Sequence, residues 1–420
     1  MILSAEKKYQ LLHDIFQKVR DTWNLEEILE YLLDAVKTVL EYDAAGIFVS
    51  NQDLVHGRQE MPTEMISGII RRGFDTIPLK RDEMLKEGKG IIGQVIRTGA
   101  SVIVPDVRLH PEYVEGRQKT LSEIAVPIIQ QERTIGALNL ESDRLAAYAD
   151  SDIEVLQFFA DAAGISIEKA KLHRQILEKE LLDKQLQTAR EVQMRLFPTQ
   201  PPGLPGYDIA GLCIPADEVG GDYYDFIKLS KGKLGLAIAD VSGHGIASAL
   251  VMTAFRALLR TYARSKSSPA RIAYSINQFL PEFTGDHFVT LLYAILDPET
   301  GHLSYVSCGH PPPFIFRSDG QILELGCCSP AMGIFKNPEF VTGEATLEKR
   351  DVLLMYTDGV ADVYDSTNDV FGIDRLKAIT QQNEDLPSVD LIRAIVQDTQ
   401  EFSGNSGYMD DFTLLVIHRL

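Results

Sequence analysis

Aspartates stand where apolar runs of this chain give way to glycine or a tight turn. Asp222 follows Gly220 and Gly221 in PADEVGGDYYDF; Asp240 ends LGLAIAD before VSGHG; Asp358 ends VLLMYTD before Gly359; Asp410 and Asp411 precede FTLLVI. Taken singly, such an acid is a turn or cap residue. Gathered at strand mouths on one edge of a fold, they raise one another's pKa and cost stability unless a cation pairs them. Hard oxygen donors without Cys or His select Mg or Mn over zinc. The chemistry on offer is therefore the binding of hard divalent cations.

Other chemistries are excluded by residue type. Cys213, Cys308, Cys327 and Cys328 show neither zinc-site spacing nor a C-x-x-C pair, and none opens a C-x5-R phosphate loop. They read as reduced thiols in or near a core. A formal charge of -19 argues against nucleic acid, which demands clustered Lys and Arg. An acidic protein still acts on phosphate where metal ions invert the local sign of charge.

The elements that must position these acids form two halves, as expected for 420 residues, more than one ordinary core supports. The longest apolar runs fall far short of a bilayer span, and the start MILSAEKKYQ lacks a secretory h-region, so a cytoplasmic protein is expected. In the first half, LEEILEYLLDAVKTVL has helical spacing and AAGIFVS reads as a strand. A helix centred on Gly93 to Arg97 leads into SVIVPDV, SEIAVPIIQQERTIGALNLES reads as a hairpin, and a long helix begins at Asp150. This order predicts an α+β domain with helices on one side of an antiparallel sheet. GIIGQVIRTG, VIVPDV and IAVPIIQQERTIGALNLES resemble a GAF domain over roughly residues 20 to 170. The resemblance implies a small-molecule pocket or a dimerisation and relay module, with its ligand unread. His56 and His110 are candidate haem ligands there, and more ordinarily surface or satisfied histidines.

From Ile165 to Leu196 the chain is polar and helix-prone, and Pro198, Pro201, Pro202 and Pro205 end the helix. Leu182, Leu186, Ala189, Gln193 and Leu196 follow the alternating steps of a two-stranded coil, while Leu172 and Ile176 start a stripe out of register with it. The pattern predicts a homodimeric coil or, alternatively, an amphipathic helix on a neighbouring domain. The domain limits expected are a sensory domain at 1–165, a helical linker at 166–198 and a catalytic domain at 199–420.

After the linker come seven short β-rich runs and two long helical stretches, Ile246 to Arg264 and Pro269 to Phe283, with shorter helices near Ile373 to Gln382 and Ser388 to Phe402. They suggest a sheet sandwich covered by helices. PADEVGGDYYDF, ADVSGHGIASALVMT, CGHPPPF, YTDGV and DDFTLLV occur in the order and spacing of the SpoIIE-type branch of the PPM (PP2C-like) metal-dependent protein phosphatases, and QLQTAREVQMRLFP resembles the helix preceding the catalytic domain of RsbU-like members. The resemblance implies an α-β-β-α sandwich holding two Mn or Mg ions, with Asp240 bridging them, Asp222 and the Val241 carbonyl completing one site, and Asp358 and Asp410 the other. Asp411 takes the place of an Asn usual in eukaryotic members, and the phosphate-binding Arg of those members has no evident match.

The function implied is hydrolysis of phosphoserine or phosphothreonine on a signalling partner of the anti-sigma-factor-antagonist type, regulated by the GAF domain through the helical linker. Water activated between two ions would need no protein nucleophile. His244 and His310, in GHG and GHPP, are candidates for proton transfer or for shaping loops. Two alternatives are a PPM-like module that binds without hydrolysis, and a diguanylate cyclase, whose signature GGDYY distantly resembles.

Overall fold

The computed structural model describes residues 5–50, 66–74, 88–265, 268–282, 284–326, 329–404 and 406–420. Contacts divide the chain into Met1–Leu181 and Leu182–Leu420. His56, Cys327 and Cys328 lie outside the described residues.

The first unit opens with helices α1 (Ala5–Asp21) and α2 (Leu25–Lys37). Asn24 starts α2 by accepting a hydrogen bond from the Glu27 amide, an ordinary N-cap. Strands β1 (Ala44–Ser50), β2 (Ile66–Arg72), β3 (Val102–Val104), β4 (Ser122–Gln130) and β5 (Arg133–Ser142) form one sheet in the order β2-β1-β5-β4-β3, antiparallel throughout. Helix α3 (Gly90–Thr98) precedes β3, and α4 (Asp150–Met194) follows β5.

Because side chains alternate along a strand, β4 and β5 serve two cores at once. Ile124, Val126, Ile128, Leu138 and Leu140 pack with α1, α2 and α4, whereas Ala125 and Ala137 pack with Phe48 and with Ile91, Ile92 and Val95 of α3. The sheet is thus covered on both faces, which corrects the expectation of helices on one side. Periodicity shows that α3 has an apolar face and is silent on which side of the sheet receives it.

The second unit is an α-β-β-α sandwich. Strands β6 (Tyr207–Ile214), β7 (Tyr223–Lys228), β8 (Leu234–Val241), β9 (Val289–Asp297), β10 (His302–Cys308), β11 (Phe314–Phe316), β12 (Ile322–Glu324), β13 (Gly343–Thr346), β14 (Val352–Tyr356) and β15 (Phe412–Arg419) make two sheets, β13-β10-β9-β8-β7 and β12-β11-β14-β15-β6. Helices α5 (Ile246–Ser265) and α6 (Pro269–Asn277) cover the first sheet, and α7 (Asp358–Ala361), α8 (Gly372–Gln382) and α9 (Ser388–Ser403) lie with the second. On β14, Leu353 and Met355 face the inner core while Val352, Leu354 and Tyr356 face the helices. A strand buried on both faces must be apolar at every position, which is why VLLMY is a continuous run. Pro269 occupies the first turn of α6, where its missing N–H costs nothing.

Cys213 and Cys308 are buried in this unit. Among the described residues no helix is long and apolar enough to cross a membrane.

Candidate active site

Strand register brings the acids to one edge. In the first sheet Tyr223 pairs with Ala239, so the next positions outward, Asp222 and Asp240, stand opposite each other at the mouth of β7 and β8. In the second sheet Tyr356 pairs with Leu414; Asp358 lies just past that end of β14, and Asp410 and Asp411 just before β15. Asp240 is the penultimate residue of its strand, and Asp358 opens the short helix α7 rather than ending a strand.

Hydrogen bonds tie the two sheets together at this edge. The Asp222 carboxylate, 2% exposed, accepts the Thr357 hydroxyl at 2.8 Å and the Thr413 hydroxyl at 2.5 Å, both on Oδ2. The Thr413 amide donates in turn to the Thr357 hydroxyl at 3.1 Å. Asp411 accepts from the Ala216 amide at 2.9 Å and the Asp222 amide at 3.1 Å, so it braces the loop that delivers Asp222. This explains Gly220: a methyl group there would overlap the Asp411 carboxylate.

Helix α4 braces the same loop from its far end. The Gln193 side chain, 5% exposed, donates to the Gly220 carbonyl at 2.7 Å and accepts from the Gly220 amide at 3.1 Å. Leu196 packs against the sandwich core. The last two positions of the expected coil seam are thereby spent within the second unit. Leu172, Ile176, Leu181 and Leu182 remain more than half exposed.

Electrostatically the edge is unfinished. Burial first, and then Asp358, Asp410 and Asp411, push the Asp240 carboxyl up to about 7. Burial, Asp240 and Asp411 hold Asp222 well above the ordinary range, against the pull of its two hydroxyl donors. Asp358 is raised by burial and by Asp362; Asp410 is raised by burial, with the Asp411 amide opposing. Every charged neighbour that shifts Asp240 is another carboxylate. Among the described residues no three His, Cys, Asp or Glu side chains are close enough to enclose an ion, so the acids share a field without forming a closed cage. Such a set fits hard divalent cations, which take oxygen ligands and offset this repulsion.

The histidines differ. His244 is exposed on the loop after β8, its Nδ1 3.1 Å from Asp217 Oδ2, and that loop turns at Gly243 with φ of 83°. His310, 1% exposed, has Nδ1 2.7 Å from the Thr290 hydroxyl, and burial lowers its pKa to about 3. It is a neutral imidazole at physiological pH, which does not suit it to donate a proton as a cation. His110, in the first unit, is half-buried, and its Nδ1 has no hydrogen-bond partner among the described residues.

Sequence reasoning missed Thr357, Thr413 and Gln193. The signal available for the threonines was a hydroxyl inside otherwise apolar strand runs, LLMYTD and DFTLLV. The cyclase alternative fails on structure: GGDYY leads into β7 of a sandwich, and the metal-bearing strand it needs some 40 residues upstream is occupied by α4.

Comparison with known proteins agrees with this layout. The model of the family "Stage II sporulation protein E (SpoIIE)" matches residues 230–420, which include Asp240, Asp358 and Asp410, and that of the GAF domain matches residues 24–168. Protein IcfG of Synechocystis sp. is 28% identical over 263 residues, 56% of this chain and 41% of IcfG. Phosphoserine phosphatase RsbU of Bacillus subtilis is 26% identical over 237 residues, 56% of this chain and 70% of RsbU. The SiaA-PP2C domain of Pseudomonas aeruginosa superposes with a TM-score of 0.52 at 21% identity, covering 58% of this chain and 98% of that domain, a likeness of fold alone. The chain thus carries a GAF domain ahead of a C-terminal domain of the SpoIIE, PP2C type.

Proposed function

We propose that the chain is a Mn- or Mg-dependent phosphatase that hydrolyses phosphoserine or phosphothreonine on a signalling protein. The observation that carries the reading is the edge that gathers Asp222, Asp240, Asp358 and Asp410, where every charged neighbour that shifts Asp222 or Asp240 is another carboxylate. Asp240, Asp222 and the Val241 carbonyl would hold one ion; Asp240, Asp358 and Asp410 would hold the other. Two such ions supply an activated water and offset the charge of the phosphate.

The chain's own groups do the positioning. Thr357 and Thr413 orient the Asp222 carboxylate, and Asp411 and Gln193 fix the backbone on either side of Gly220. His244 is exposed at the mouth of the site and suited to protonate the departing serine oxygen; His310 holds the loop after β10 through Thr290. No side chain needs to act as nucleophile.

The partner proposed is a phosphorylated domain of the anti-sigma-factor-antagonist kind, the substrate class of RsbU-like phosphatases, met in the cytoplasm. Regulation is assigned to the GAF domain, whose ligand is not named, acting through α4. Gln193 supports this, because any displacement of its turn of α4 breaks two hydrogen bonds to the loop that delivers Asp222. The exposed Leu172, Ile176, Leu181 and Leu182 support a homodimer joined along α4.

Turnover of a phosphoserine peptide with Mn tests the reading. Activity is expected with Mn or Mg, lost with chelator and reduced to background in Asp240→Asn. A folded protein that binds the peptide with no hydrolysis under either metal would make it a binding module instead.

A further inference from the structure

A groove of about 810 Å³ opens beside the acidic edge, with Asp358 in its wall. Pro311 and Pro312 form one part of its lining; another is the stretch from Val370, in the turn between α7 and α8, to Ile373 in the first turn of α8. Both side chains are large and apolar, yet 43% and 40% exposed. The turn that carries Val370 and leads into α8 is held by several bonds. Tyr364 and Val370 form a β-bridge, and one oxygen of Asp365 accepts the Thr367 amide and hydroxyl at 2.8 Å each and the Asp369 amide at 2.9 Å. The Phe371 amide donates to the Val363 carbonyl at 2.8 Å, and its ring packs edge-on against Phe402. Two aliphatic side chains are thus presented to solvent on a fixed frame next to a residue of the acidic edge.

Charge decides what such a groove can hold. A chain of net charge -19 repels an anionic phosphoprotein at long range, so attraction must come from contact. A substrate that brings its phosphate to Asp358 has this groove next to it for its adjoining residues, since Asp358 belongs to the lining. Apolar surface on a rigid frame rewards an apolar residue without an ordering cost.

Resting on the phosphatase reading, we infer that this groove selects substrates in which an aliphatic side chain flanks the phosphoserine, with Val370 and Ile373 as its specificity-determining contacts. Arg375, also in the lining, is stacked on Phe402 at 4.3 Å.

The test compares three probes with Mn: p-nitrophenyl phosphate, a phosphoserine peptide flanked by leucines, and the same peptide flanked by glycines. The wild-type protein is expected to prefer the leucine peptide roughly tenfold or more in kcat/KM. Val370→Ser with Ile373→Ser should erase that preference through KM and leave p-nitrophenyl phosphate turnover unchanged. Val370→Ile with Ile373→Val should keep the preference, which separates a binding contact from a folding effect. Equal use of the two peptides by the wild type, or an equal fall on all three probes in the serine variant, overturns the inference while leaving the phosphatase standing. No hydrolysis of any probe would remove the phosphatase reading and this inference with it.

Discussion

Two aspartates three residues apart, one in β7 and one just before it, show how differently one fold can treat a buried carboxylate. Asp225, in the middle of the strand and 0% exposed, is fully supplied: Arg260 of α5 grips it with Nε at 2.5 Å and Nη2 at 2.8 Å, the Tyr223 hydroxyl donates to it, and so does the Phe226 amide at 2.8 Å. Asp222, at the strand mouth, has two hydroxyls and a ring of acids. The first is complete within the chain and fastens α5 to the sheet. The second has no cation among the charged neighbours that shift it. Burial alone therefore does not mark a functional acid; the absence of a cation among its neighbours does.

The contrast breaks most visibly if Arg260 is removed. Arg260→Met leaves Asp225 buried without its cation and is expected to destabilise the protein by about 3 kcal/mol, read in urea unfolding. Replacing both residues, Asp225→Asn with Arg260→Met, should recover much of the loss. At the strand mouth the sign reverses: Asp222→Asn is expected to raise the unfolding midpoint in chelator. A loss there as large as that of Arg260→Met would erase the distinction.

Titration sharpens the same difference. A carboxyl raised from its unfolded value of about 3.9 to about 7, as in Asp240, binds its proton more tightly when folded. Its contribution to stability is therefore greatest at low pH and is lost as pH rises from about 4 to about 7. In chelator the protein should be about 2 kcal/mol less stable at pH 8 than at pH 5, a difference that Mn should largely abolish. Unfolding curves independent of pH in that window would mean that the acids do not press on one another.

The smallest effect concerns the hydroxyls. Thr413→Val keeps the shape of the strand and removes one donor from Asp222, at a cost of about 1 kcal/mol in stability and roughly tenfold in Mn affinity by calorimetry. An unchanged Mn affinity would limit Thr413 to a packing role.

The acids were legible because a turn signal beside an apolar run announces a strand end, and GGD, YTDG and DDFT repeat that grammar. What covers a helix was not. Gln193 fits a heptad as well as it fits its pocket against Gly220, because spacing describes a face and not its neighbour. The Asp225–Arg260 pair joins residues of different elements and carries no local mark. Thr357 and Thr413 read as ordinary β-formers, and only the meeting of two sheets turns them toward one carboxylate.

The pairing of β15 with β6 has a kinetic consequence. Tyr207 lies opposite Arg419, so this sheet closes across most of the second unit, the kind of distant contact that slows folding. The strand that closes it is also the one preceded by Asp410 and Asp411. The full set of acids and completion of the sheet therefore arrive together, and until β15 pairs, Asp222, Asp240 and Asp358 stand without Asp410 and Asp411.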